Sequence, residues 1–240
     1  FNGYSVAKET LDLYLEMQNL NRAAIKYVAG IIKVGMNLAD MKALCENYLL
    51  EHGADSFWYW DVGAFVFAGD ETAVSVSGKD YKVTNRIIQE NDIITIDLSP
   101  QKNNIWGDYA RTLGFENGIL CDKTDKIRNN EWRSGLQMEE YLHKTLIDVA
   151  TPDMTFEELY YLMNDVIVKK GFLNLDFLGN LGHSIVKNKN DRIYTEKGNH
   201  QRLSDVKMFT FEPHISLPDS KYGYKREDIY YFDNGKLIQL

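Results

Sequence analysis

The chain repeats one pattern of helices at an offset of 118 residues, from position 35 to position 153. An amphipathic helix predicted over 35–53 begins at Asn37, a typical N-cap residue. The segment 153–171 has the same apolar spacing and begins at Thr155, with Glu158 three residues on as a capping box. A repeat of this length predicts two similar halves related by a pseudo-twofold axis.

Further predicted elements keep the same order in both halves. Each helix follows another helical pattern and precedes an aromatic or apolar strand. These helices are 8–32 and 131–149, and the strands are 56–67, 93–100, 174–186 and 208–215. Short polar turns between strands favour antiparallel pairing. We therefore predict a single α+β domain over 1–240, built from two αα-β-β halves at roughly 1–120 and 121–240.

Acidic residues follow the repeat. Asp97 in the first half corresponds to Glu212 in the second, and Asp108 corresponds to Glu227 at nearly the same offset. Each pair lies on consecutive strands joined by a turn, so the pseudo-twofold would bring four carboxylates to one face. Such carboxylates raise each other's pKa and need cations, and two divalent ions about 3.5–4 Å apart suit them. His183, in "GHSI", is a candidate fifth ligand.

Composition excludes several other classes of protein. The 35 acidic against 27 basic residues give a net charge of -8, which argues against nucleic-acid binding. Cys45 and Cys121 lie far apart without CxxC spacing, so a thiolate metal site or a disulfide is not expected. Reduced cysteines indicate a cytoplasmic protein. No apolar stretch approaches the ~18 residues of a membrane helix.

The order of the five candidate ligands along the chain resembles that of the pita-bread metallopeptidases, which include methionine aminopeptidases, aminopeptidase P and prolidase. These ligands are Asp97, Asp108, His183, Glu212 and Glu227. The motifs "IDL…GDYAR", "GHSI", "FTFEP" and "KRED" are similar to the family's Asp with GD-x-x-R, GHGIG, FTIEP and RIED. The resemblance covers nearly the whole chain. It implies a pita-bread fold, with a curved, mainly antiparallel sheet covered by helices. It also implies an aminopeptidase or Xaa-Pro peptidase that uses a metal-bridging hydroxide.

The resemblance implies a role for each candidate ligand around two divalent ions, which would be Mn, Co, Fe or Zn. Asp97 would chelate one ion. Asp108 and Glu227 would bridge both ions, and His183 with Glu212 would complete the second. Glu212 would also accept a proton from the bridging water and donate it to the leaving amine.

Two histidines usual in this family are absent. Asp80 stands 17 residues before Asp97, and Asn190 stands seven after His183, where the family carries them. His214, directly after the Glu-Pro dipeptide, is a further candidate to contact substrate. We therefore expect a non-standard substrate. An anion at Asp80 would favour cationic or amine-bearing amides over substrates with carboxylates.

Other aromatic and ionisable residues have simpler interpretations. The aromatic run 58–60 is expected to pack as a strand rather than to line a pocket. Arg111 is equally consistent with a partner of Asp108 and with a surface cation. His143 is assigned to solvent, and His200 to the surface or to the surroundings of the site.

A second class of function stays open, because the pita-bread fold also serves as a non-catalytic protein-binding module. Such modules typically lose ligands, whereas all five positions are filled here. A metal-independent enzyme resembling creatinase would keep the two histidines and lose the carboxylates, which is the reverse of this sequence. Expected partners are a peptide or small amide substrate and, as a candidate assembly, a second copy in a homodimer. No nucleic-acid or membrane partner is expected.

Overall fold

The computed structural model describes residues 6–240, so residues 1–5 of the predicted domain lie outside the described residues. The helices are α1 (Lys8–Ala29), α2 (Leu38–Glu51), α3 (Asn130–Val149) and α4 (Phe156–Lys169). The first-half strands are β1 (Ser56–Phe57), β2 (Ala64–Ala68), β3 (Asp92–Leu98), β4 (Pro100–Lys102), β5 (Ile105–Trp106), β6 (Tyr109–Glu116) and β7 (Ile119–Leu120). The second-half strands are β8 (Leu173–Asn174), β9 (Phe209–Phe211), β10 (His214–Ser216), β11 (Tyr224–Lys225), β12 (Asp228–Asp233) and β13 (Lys236–Gln239).

The helix starts follow the predicted capping residues. The Asn37 side chain accepts a hydrogen bond of 2.7 Å from the backbone two residues on. Thr155 and Glu158 form the predicted capping box at α4. Gly53 and Gly171, both at positive φ, follow the ends of α2 and α4. None of the described helices is long and apolar enough to cross a membrane.

All strand pairs in the described part of the chain are antiparallel, as predicted. The strands form four small sheets: β2-β3-β6-β7, β13-β12-β9, β11-β10-β8 and β1-β4-β5. The two halves meet where Ala110 of β6 and Glu227 exchange backbone hydrogen bonds of 3.2 and 3.1 Å. This contact includes Glu227 and lies two residues from Asp108, so two predicted ligands come close together where the halves meet.

Each half packs its two helices on its own strands. Met41 of α2 and Ile96 of β3 belong to one buried apolar cluster. Met163 of α4 and Phe209 of β9 belong to another. This duplication of helix pair and strands is the predicted αα-β-β repeat.

Two predicted strands are shorter than expected. The segment 56–67 is interrupted between β1 and β2, where Trp60 and Asp61 adopt positive φ. In 174–186 only the first residue remains in a strand, because the Asp176 carboxylate accepts hydrogen bonds from two backbone N–H groups within four residues and folds a turn. Both interruptions place side chains around the carboxylates rather than within a sheet.

Candidate metal centre

Buried amide side chains of α1 hold the loop that carries Asp108. The Asp108 N–H donates to Gln18 Oε1 at 2.9 Å, and its carbonyl accepts from Gln18 Nε2 at 2.8 Å. Asn21 Nδ2 donates to the same Gln18 oxygen at 2.9 Å. A Cβ at Gly107 would lie 2.7 Å from Asn21 Nδ2, so glycine permits this close approach.

His183 is fixed by its backbone and by one ring nitrogen. Gly182 has φ +152°, and a Cβ there would lie 2.1 Å from the Thr210 carbonyl oxygen. The His183 N–H donates to Thr210 Oγ1 at 3.1 Å, and its carbonyl accepts from the Thr210 N–H at 2.7 Å. Because a carbonyl only accepts, Nδ1 is the donor in the 2.8 Å bond to Ser184 O. Nε2 therefore presents its lone pair to the carboxylates.

The two glutamates are positioned by main-chain pairing. Glu212 follows β9 and donates its N–H to Leu181 O at 2.8 Å. Its Oε2 accepts a hydrogen bond of 3.1 Å from the Thr210 hydroxyl. Glu227 is held opposite Ala110 by the pair of backbone bonds that joins the halves.

Four of the five predicted ligands converge. Each offers one ligand atom, and these atoms lie within 4.8 Å of one another: Asp108, His183, Glu212 and Glu227. His183 Nε2 lies 3.0 Å from Asp108 Oδ2, 3.5 Å from Glu212 Oε2 and 4.0 Å from Glu227 Oε2. Asp108 Oδ2 and Glu227 Oε2 are buried without a hydrogen-bond partner in the described structure. A cation would compensate these buried oxygens, and three carboxylates with one imidazole form a ligand set for a divalent metal ion.

The pKa values reflect this crowding of negative charge. Burial, then the charges of Asp108 and Glu212, raise the pKa of Glu227 well above its ordinary value. Burial raises the pKa of Asp97 to about 6, with Lys225 opposing and the neighbouring carboxylates adding. Burial would also raise the pKa of Glu212, but Lys225 and its other partners lower it to about 2. Without a cation the carboxylates therefore share protons rather than all ionising.

Asp97 lies outside the convergent group. It stands on β3 opposite Ala110, and its Oδ2 contacts Lys225 Nζ at 2.8 Å. Lys225 Nζ also lies 3.6 Å from Glu212 Oε1. Lys225 was not among the predicted site residues. Its position two residues before Glu227 was the available signal, since residues two apart in an extended chain share a face.

An aromatic cavity of about 380 Å³, of the size that small ligands occupy, adjoins these residues. The Trp58 ring stacks on Trp106 at 4.0 Å and meets the His183 ring edge at 5.7 Å. Trp58 and Tyr59 both line the cavity, so the expectation that residues 58–60 pack as a strand is wrong. The positive φ at Trp60 and Asp61 lies in the turn that separates β1 from β2.

Arg192 brings a positive charge to the same cavity. Its guanidinium carbon lies 5.3, 5.0 and 5.4 Å from the ring centres of Trp58, Tyr59 and Tyr194. Its Nε donates to Lys189 O at 2.8 Å. Arg192 was not predicted as a site residue, because in sequence it is one basic residue in a polar loop and only the fold brings it beside the aromatic rings.

His214 lines the cavity, as proposed for a substrate-contacting residue. Its Nε2 donates to the Thr72 carbonyl oxygen at 2.7 Å. Burial, with Lys225 nearby, lowers the pKa of His214 to about 4. The ring is therefore neutral at physiological pH and is oriented by the Thr72 carbonyl.

The other two candidate substrate residues do not line the cavity, contrary to the prediction. Asp80 is exposed and accepts a hydrogen bond of 3.3 Å from the Ser77 hydroxyl, which it meets in a surface turn. Asn190 is exposed in a short 3-10 helix. Asp80 and Asn190 were assigned to the family's histidine positions by counting residues along the sequence. In the structure, local turns direct both side chains to solvent. His200 is a surface residue, with its side chain 79% exposed and 3.5 Å from Glu157.

Arg111 and His143 belong to a buried network behind the site. Arg111 pairs with Asp228 at 2.8 Å, rather than with Asp108 or with solvent. His143 is 4% exposed, so its assignment to solvent is wrong. Its Nε2 donates to Arg226 O at 2.8 Å, and its Nδ1 accepts from the Tyr230 hydroxyl at 2.7 Å. Burial lowers the pKa of His143 to about 3, so the ring is neutral.

Similar proteins include peptidases of known structure. The chain is 28% identical over 135 residues to the Xaa-Pro dipeptidase of Lactobacillus helveticus, covering 56% of this chain and 34% of that enzyme. It is 23% identical over 207 residues to the methionine aminopeptidase of Helicobacter pylori, covering 82% and 75% of the two chains. The fold matches Pyrococcus furiosus prolidase with a TM-score of 0.79 at 19% identity, covering 97% of this chain and 64% of that one.

Thermotoga maritima X-Pro aminopeptidase matches with a TM-score of 0.77 at 18% identity, covering 99% of this chain and 62% of that one. The chain thus spans less than two thirds of the length of the Lactobacillus dipeptidase and of both solved structures. These likenesses confirm the predicted pita-bread fold. The sequence model of metallopeptidase family M24 matches residues 12–234. Because this match includes nearly the whole chain and all the converging ligands, the protein belongs to metallopeptidase family M24.

Proposed function

We propose that this protein is a metal-dependent peptidase that cleaves an amide bond near a free amino terminus, including Xaa-Pro bonds. One observation carries the proposal: three carboxylates and a correctly oriented imidazole converge around buried oxygens that lack partners. A protein-binding module has no need of such a site, because unpaired buried carboxylates destabilise the fold.

The convergent group of Asp108, His183, Glu212 and Glu227 would hold a divalent ion. Asp97, the other predicted ligand, instead contacts Lys225 Nζ at 2.8 Å. A divalent ion at such a site lowers the pKa of water and polarises the amide carbonyl. Mn, Co, Fe and Zn are the candidate ions, because carboxylate and imidazole ligands accept all four.

Glu212 is the proposed proton carrier. Its side chain is 24% exposed, whereas those of Asp108, His183 and Glu227 are 4, 7 and 2% exposed. All four residues line the cavity, and Glu212 is the most accessible of them. The Thr210 hydroxyl orients one of its oxygens. We propose that Glu212 accepts a proton from the attacking water and donates it to the leaving amine.

Arg192 favours short peptides that carry a carboxylate close to the bond that is cut. Its guanidinium lies over aromatic rings of the cavity, where it can pair with a substrate carboxylate. This replaces the expectation of cationic substrates, which depended on Asp80 lining the cavity. The absence of the two family histidines still supports a non-standard specificity, because proton transfer through them is lost.

Hydrolysis and metal content together test the proposal. We would supply Mn(II) or Co(II) and assay Xaa-Pro and other dipeptides against the same peptides with amidated C-termini. We expect bound metal, metal-dependent hydrolysis and a preference for the free carboxylate that Arg192→Met reduces. Asp80→Asn is the matched surface control and should change nothing. A metal-free, inactive protein after supplementation would instead support the binding module.

A further inference from the structure

Lys225 places an ammonium group inside the candidate metal centre. Its Nζ lies 2.8 Å from Asp97 Oδ2 and 3.6 Å from Glu212 Oε1. The side chain is 20% exposed and lines the cavity. A cation of the protein itself thus already contacts the one predicted ligand that the convergent group leaves out.

The backbone of Lys225 is anchored on both sides. Its N–H donates to Thr112 Oγ1 at 2.9 Å, and its carbonyl accepts from the same hydroxyl at 2.8 Å. Thr112 lies on β6, which is paired with β3 and so with the strand that carries Asp97. The side chain therefore starts from a fixed point next to Asp97.

Two different cations would compensate the four carboxylates of the site, a divalent metal ion and the Lys225 ammonium. The convergent group supplies three carboxylates and His183 to one divalent ion. Asp97 is the fourth carboxylate, and the Lys225 ammonium compensates it directly. A second divalent ion at Asp97 would face this positive charge at short range, and like charges repel strongly in a poorly hydrated site.

We propose that the Lys225 ammonium takes the place of a second metal ion, so that this protein holds one divalent ion tightly. The inference rests on the proposed function, since it concerns the same centre. Lysine suits this role because its ammonium is a compact point charge that can occupy a cation position between carboxylate oxygens.

Binding of Mn(II) to the purified protein tests this inference without an activity assay. We would equilibrate each variant with Mn(II), measure bound ions per chain after desalting, and record electron paramagnetic resonance spectra. We expect one ion per chain in the natural protein, with the spectrum of an isolated Mn(II). Lys225→Met keeps most of the apolar stem and removes the charge. It should bind a second ion at least ~10-fold more tightly, a difference of about 1.4 kcal/mol, and show an exchange-coupled pair.

Two controls separate the ammonium from other effects. Lys221→Met removes an exposed lysine and should leave one ion per chain. Lys225→Arg keeps the positive charge and should also leave one. If circular dichroism shows that Lys225→Met does not fold, Lys225→Gln replaces it, because this variant also removes the charge but keeps a polar end group.

The outcomes also distinguish this inference from the proposed function. Two coupled ions in the natural protein would overturn the inference and leave a metal-dependent peptidase intact. One ion in both the natural protein and the charge-removing variants would also overturn it, because Lys225 would not be the excluding group. No bound ion in any variant would overturn the inference and the proposed function together.

Discussion

Glu227 and Asp228 are neighbours in sequence, and both are buried, at 1% and 0% exposure. The protein surrounds Asp228 with its own cations and donors. Arg111 lies 2.8 Å away and Arg226 3.5 Å, whereas the neutral ring of His143, at 3.6 Å, adds no charge. Asp228 therefore has compensating charge in the folded chain and needs nothing from solution.

Glu227 faces the opposite environment. His183 Nε2 lies 4.0 Å away and presents a lone pair rather than a charge, and the other groups around Glu227 include Asp108 and Glu212. Side chains of the protein compensate the charge of Asp228, whereas the charge of Glu227 requires an ion from solution. The difference shows that burial alone does not identify a metal ligand; an uncompensated buried carboxylate does.

The largest expected effect comes from removing the compensated charge. Asp228→Asn keeps the shape but leaves Arg111 buried beside a neutral amide. We expect a loss of about 3–5 kcal/mol in the free energy of unfolding, as for other broken buried ion pairs. Urea denaturation of the metal-free protein measures it. A loss below ~1 kcal/mol, the scale of a surface pair, would mean that Asp228 is not held by its cations.

Glu212→Gln tests the other side of the comparison through activity. The amide cannot accept a proton and weakens one metal bond, so hydrolysis should fall at least ~100-fold, the scale of a lost general base. The metal-free protein should also lose stability, because its surroundings favour the ionised form of Glu212, and the same denaturation measures this loss. Unchanged activity per bound metal would restrict Glu212 to the role of ligand.

The stability of the metal-free protein should fall as pH rises from about 4 to about 6. Burial raises the pKa of Asp97 to about 6 and that of Glu227 well above its ordinary value. The folded chain then binds protons that the unfolded chain has lost, so each contribution is present at low pH and is lost as pH rises through the raised pKa, which is about 6 for Asp97. We expect a change of about 2–3 kcal/mol from Asp97. Glu212 acts in the opposite sense at lower pH, because its pKa is lowered from 4.5 to about 2 and its contribution is lost as pH falls between these values.

Denaturation at several pH values, with and without Mn(II), measures this effect. Asp97→Asn should flatten the profile, since the amide does not titrate. Saturating Mn(II) should also reduce the slope, because the ion stabilises the ionised carboxylates. A metal-free protein that gains stability over the same range would contradict the raised pKa values.

The smallest expected change has the opposite sign to the first. Glu227→Gln removes one of the crowded charges, so the metal-free protein should gain about 1–2 kcal/mol of stability. Metal binding should be lost in the same variant. A destabilised Glu227→Gln protein would show that Glu227 and Asp228 do not differ in the way that their surroundings indicate.

The sequence predicted the parts of the fold that depend on local chemistry. Caps at Asn37 and Thr155 specify helix starts, and both are confirmed in the structure. The motifs around Asp108 and Glu227 predicted residues that the structure brings together. The homodimer, the cytoplasmic location and the limits of a single domain stay predictions.

The wrong or missing predictions concern residues whose surroundings are formed by parts of the chain that are distant in sequence. His143 lies among polar neighbours in α3, and its buried surroundings come from Tyr230, 87 residues away. Lys225 acquires its role only when β3 brings Asp97 beside it. The shortened strand 174–186 was partly predictable, since Asp176 and Gly179 are typical turn residues.

The bonds between Gln18 and Asp108 join residues 90 positions apart. Gln18 is not one of the candidate ligands, but its side chain fixes the position of the loop that carries Asp108. A chain that has all four ligands but whose first helix is not yet docked would therefore lack a finished centre. Capture of the ion should be a late event in the maturation of the protein, and bound metal in a time course should report that the first helix has reached its place.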